Sequence, residues 1–107
     1  MTYEKLMEFC MEKHKSAAFH RMTAMEWLNK GLIDQETYET VRQHYAEQGQ
    51  KAFFLHDALY FAEYAKQIGE DEDSVLTETE RIHIQQAEEW YKKEGDFLTA
   101  PSELPFD

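Results

Sequence analysis

The chain has 107 residues, of which 22 are Asp or Glu and 11 are Lys or Arg, giving a formal net charge of −11. That length bounds one domain, and 42% hydrophobic with 14% aromatic content supplies a core that a disordered chain would lack. The charge excludes nucleic acid as a direct ligand and disfavours anionic membranes, because both need Lys/Arg clusters. A single cysteine, Cys10, excludes an intramolecular disulfide and Cys-rich zinc sites, and points to a reducing, cytoplasmic setting. The first 20 residues are too charged for a signal peptide.

Helix formers dominate, proline is absent before Pro101, and no strand-like alternation persists. The expected fold is therefore all-α: a compact bundle of about four helices over residues 1–95, broken at the four glycines, with an irregular Pro-containing tail over 96–107.

The first segment runs from about Thr2, a candidate N-cap, to Lys30. At about 100° per residue, Tyr3, Leu6, Met7, Cys10, Ala17, Ala18, Ala24, Met25 and Leu28 share one face. His14 and Arg21 fall on that face too. Either they are buried with partners or the helix breaks near Ser16, and the break is the expected resolution. Gly31 is a C′ stop, and Asp34 a candidate N-cap with Glu36 in the first turn. A second helix then reaches about Gln48, with a sparse stripe of Tyr38, Val41 and Tyr45 that suits an edge position.

Gly49 is expected to separate that helix from a third, Lys51 to Ile68, which is apolar nearly all round. Phe54, Leu55, Ala58, Leu59, Phe61, Ala65 and Ile68 are the expected core, which makes this the central helix or, failing that, a homo-oligomer surface. Glu70-Asp71-Glu72-Asp73-Ser74 reads as a charged loop. Thr77 and Glu80 then have the spacing of a capping box. The fourth helix turns His83, Ile84, Ala87, Trp90 and Tyr91 inward and ends at Gly95. Phe97, Leu98, Leu104 and Phe106 of the tail are candidates to strap over the bundle.

Chemical motifs are scarce. Glu80 and His83 form a Glu-x-x-His pair, the spacing used by carboxylate-bridged di-metal bundles, which need two such pairs and two further carboxylates. Only one pair is present, so a metal-binding bundle enzyme centred on Glu80 and His83 is the alternative and not the main expectation. His14 and His20 are wrongly spaced for one helical face, while His44 and His56 flank Gly49 and could meet across a hairpin. Cys10 on an apolar face reads as an inert thiol. No phosphate-cradling glycine loop exists. No catalytic residue, no metal site and no cofactor are expected.

The strongest functional feature is the acidic quarter. Residues 70–107 hold three Lys/Arg against twelve Asp/Glu, or −9 of the total −11. Glu70, Asp71, Glu72, Asp73, Glu78, Glu88, Glu89 and Trp90 are the expected partner-binding residues, the acids for a basic protein surface and the Trp as apolar anchor. In size and charge alone the chain is similar to small acidic helical proteins of phages and mobile elements, anti-CRISPR inhibitors among them. The expectation is a non-enzymatic interaction protein, with a plain structural or oligomerisation domain as a further alternative.

Overall fold

The computed structural model describes residues 2–94; Gly95 and the expected tail strap lie outside them. Three long helices make the fold: α1 (Tyr3–Asn29), α2 (Gln35–Gln67) and α4 (Glu78–Glu94), with a single-turn α3 (Glu72–Val75) before α4. The all-α class is as expected. The number and lengths of the helices differ, because two expected breaks do not occur.

The ends of the helices follow local chemistry. Thr2 accepts from the Lys5 amide and Asp34 from the Thr37 amide, so both N-caps form. Gly31 and Gly69 adopt φ of 74° and 76°. At Gly31 the Leu32 amide bonds to the Trp27 carbonyl and the Gly31 amide to Leu28; at Gly69 the Glu70 amide reaches Ala65 and the Gly69 amide Lys66. These are paired Schellman closures, and only glycine adopts that backbone cheaply. The Thr77–Glu80 capping box also forms, with each residue's side chain accepting the other's amide.

Gly49 does not stop its helix. α2 runs through it, and Gly49 is buried in the contact with α1. A Cβ there would lie 3.5 Å from Ala17 Cβ and 3.8 Å from His14 Nδ1. The His14 Nδ1–H donates to the Gly49 carbonyl at 3.2 Å. The residues after Gly49 account for the continuity: Gln50-Lys51-Ala52 are helix formers, with no capping residue of the kind that Asp34 supplies after Gly31. His44 and His56 consequently lie on one helix, about 18 Å apart along its axis, and cannot meet across a turn. Gly49→Ala is expected to stabilise the fold by about 0.5–1 kcal/mol, since the backbone is ordinary helix and the methyl group finds normal contact distances. A rise in the urea midpoint at constant slope checks it.

α1 is also unbroken at Ser16. Leu6, Phe9, Cys10, Ala17, His20 and Ala24 are buried, with Lys13 between them only 14% exposed along its side chain. At about 100° per residue these positions share one face centred near Leu6 and Ala24. His14, Ala18, Arg21 and Met25 lie to one side of that face, half-buried or exposed, so the expected conflict comes from placing the face too far toward them. α2 keeps the matching seam, with Tyr38, Val41, Tyr45, Ala52, Leu55, Leu59 and Ala62 buried. The two helices pack as an antiparallel hairpin in the manner of a coiled coil. Tyr38, Val41 and Tyr45 are thus core to the end near Gly31, not an edge stripe, and pack with Ala17 and Ala24.

α4 lies over the other end. Ile84, Ala87 and Trp90 join Leu6, Phe9, Cys10, Ala52, Leu55 and Leu59 in the larger core cluster. Phe9 is fully buried and meets Trp90 and Tyr91 edge to face at 5.3 and 5.4 Å. Burial pushes the Cys10 thiol up to about 11, which the nearby Lys51 charge only partly offsets. The molecule is elongated, 55 × 24 × 18 Å over the Cα atoms.

The expected central helix is not central. Leu55, Ala58, Leu59 and Ala65 are buried as anticipated, but Phe54, Phe61 and Ile68 are 47, 46 and 51% exposed. Among the described residues α1, α3 and α4 pack on α2, and the side that carries Phe54, Phe61 and Ile68 is left exposed.

Candidate interaction surfaces

The acidic residues expected to bind a partner do not form one surface. Glu72 turns inward and accepts the Tyr3 hydroxyl at 2.9 Å. Glu88 is half-buried and lies near the same phenol, as does Glu63. Burial, then the hydrogen bond to Glu72, then these neighbouring carboxylate charges push the Tyr3 hydroxyl up to about 12. The Tyr3–Glu72 hydrogen bond therefore ties the start of α1 to α3. Trp90 is 7% exposed and belongs to the core, so it presents no anchor to a partner. Asp73 lies in α3, its side chain outside the described ones.

Glu70, Asp71, Glu78 and Glu89 remain exposed. Glu70 and Asp71 sit on the tight corner that Gly69 creates. Glu78 and Glu89 lie eleven residues apart on α4, close to three helical turns, with Ile82 between them and 47% exposed. The ion pairs Lys13–Glu94, Lys15–Glu12, Lys30–Glu26 and Arg42–Glu39 engage carboxylates other than Glu70, Glu78 and Glu89. The exposed acids stand on backbone that caps and Schellman closures hold rigid.

The second surface is apolar. Phe53, Phe54, Tyr60, Phe61, Tyr64 and Ile68 project from the outward side of α2, each about half exposed. In the preceding half of the same helix the equivalent outward positions are polar, Glu39, Gln43, Glu47 and Gln50 among them. The helix is apolar nearly all round because it carries two seams: one is covered by α1 and α4, the other faces out. The sequence expectation puts Phe54, Phe61 and Ile68 in the core; they stand instead with Phe53, Tyr60 and Tyr64 on this outward side.

The Glu80–His83 pair is pulled apart by its neighbours. Glu80 is committed to the Thr77 amide, and the His83 ring stacks on Phe54 at 6.4 Å. His83 also lines an open groove of about 340 Å³ with Glu47, Gln50, Lys51, Phe54 and Gln86. Among the described residues no three His, Cys, Asp or Glu side chains gather closely enough to hold a metal ion, and no helix is long and apolar enough to cross a membrane.

The chain matches no known protein family, no curated protein and no solved structure. Its surfaces are what bear on its function.

Proposed function

We propose that the chain is a non-enzymatic interaction protein that binds a basic protein surface through Glu70, Asp71, Glu78 and Glu89. The observation that supports this is the rigid, exposed carboxylate edge along the α2–α4 corner. It concentrates charge on one end of the chain, away from the Lys15–Glu12, Lys30–Glu26 and Arg42–Glu39 pairs. Carboxylates spaced on a fixed helix compete with phosphates for Arg and Lys, so the partner class is a nucleic-acid-binding protein approached through its basic groove. An inhibitor of such a protein, of the kind phages and mobile elements carry, is the role this surface suits.

The test is a triple variant, Glu70→Lys, Glu78→Gln and Glu89→Lys, compared with the native chain in capture from extract of the native host. The captured protein should be basic. Its retention should fall as salt rises from about 0.05 to about 0.5 M, because exposed charges are screened within about 10 Å at 0.1 M. The variant should keep its helical circular dichroism and lose the partner. Equal capture by the variant would show that these acids serve solubility alone.

A further inference from the structure

We infer that the outward seam of α2 is the contact between two copies of this chain, packed antiparallel about a twofold axis between Tyr60 and Phe61. The area supports a second copy. A fully exposed aromatic residue offers roughly 200 Å²; with about half of each of the six side chains exposed, the face supplies on the order of 600 Å². Two copies would bury about 1,200 Å², the lower end of specific interfaces and beyond most adventitious contacts. It also reaches the top of the range for apolar patches on a monomer.

The spacing supports self-pairing. Phe54, Asp57, Phe61, Tyr64 and Ile68 are separated by three, four, three and four residues, the rhythm of a helix that packs along a second helix. An isologous contact requires each position to meet its mirror across the axis. With the axis between 60 and 61, Tyr60 faces the partner's Phe61 and Phe53 faces the partner's Ile68. Asp57 faces the partner's Tyr64, whose hydroxyl donates to the carboxylate. The one charge on this face thus gains a donor in each copy.

Charge is consistent with this occupant. At −11 two copies repel, yet the acids of the 70–89 edge lie off this seam. Salt should therefore leave the dimer unchanged or tighten it, the opposite of its effect on a basic partner. The two proposals can thus fail separately.

Sedimentation of the purified chain from about 1 to about 200 µM, at about 0.05 and about 0.5 M salt, should show the mass doubling with concentration and no loss of dimer at high salt. Phe61→Glu should weaken association by roughly 30-fold or more, as loss of a central hot spot does. Its helical circular dichroism should persist, since the site is exposed and Glu is a good helix former. In a Cys10→Ala background, Tyr60→Cys should form a disulfide-linked dimer on mild oxidation. Phe53→Cys should link to Ile68→Cys in a mixture but not to itself. A monomer throughout, a dimer indifferent to Phe61→Glu, or a dimer dissolved by salt would each overturn the proposal. Self-linking by Phe53→Cys would overturn the antiparallel pairing.

Discussion

Phe9→Ala is expected to destabilise the fold by about 3–5 kcal/mol, whereas Phe61→Ala should cost the monomer less than about 1 kcal/mol. Phe9 is fully buried, and its ring is the point at which α1 receives Trp90 and Tyr91 of α4. Truncation removes the transfer free energy of the ring and leaves a cavity that rigid helices cannot close. A domain of this size has only about 5–15 kcal/mol in total, so the variant should melt many degrees lower. Phe61 makes a sharp control: it has the same chemistry and sits in a helix, but is 46% exposed. Urea unfolding at low protein concentration, where any dimer has dissociated, separates the two. Equal costs would mean that the outward side of α2 is covered within one chain, contrary to the structure.

The contrast between these two phenylalanines marks what the sequence carries. Local signals are legible because they act within one or two turns: the Thr2 and Asp34 caps, the Thr77–Glu80 box and the Gly31 and Gly69 stops all form as expected. Gly49 misleads because glycine permits a stop without requiring one. The continuous seam from Tyr45 to Ala52 carries the decision, and a seven-residue interval shows it. Phe9 escapes a reading of the first helix that places its face too far toward His14 and Arg21. Its burial depends on α4 lying beside that face, which is a tertiary fact. The same limit governs Phe54, Phe61 and Ile68. A helix apolar on both sides is covered on both sides somewhere, but its own sequence does not say whether by the same chain. For the candidate surface, the acidity is evident from composition. Which acids face out depends on where Tyr3 sits, 69 residues from Glu72 in the chain.

Trp90→Ala is expected to cost a similar 3–5 kcal/mol. The indole is 7% exposed, with one edge against Phe9 and its Nε1–H donating to Glu94. Lys51 Nζ stands 4.3 Å from the ring centroid and Lys13 Nζ 5.5 Å, so two cations share its π system. Lys13 also pairs with Glu94 at 3.1 Å, which closes a circuit of α1, α2 and α4 around one ring. Trp90→Phe keeps apolar contact but loses the donor and much of the face, and should cost about 1–2 kcal/mol less than the alanine variant. The Phe9→Ala, Trp90→Ala double variant should lose less than the sum of the singles by about 0.5–1.5 kcal/mol, the coupling of an edge-to-face pair. Strict additivity would show that the two rings are not in contact in solution. A cost under about 1 kcal/mol for Trp90→Ala would show that α4 is not docked there. In that event the carboxylates of Glu78 and Glu89 would lose their fixed geometry, and a partner that requires it would be bound no better by the native chain than by an unfolded acidic peptide.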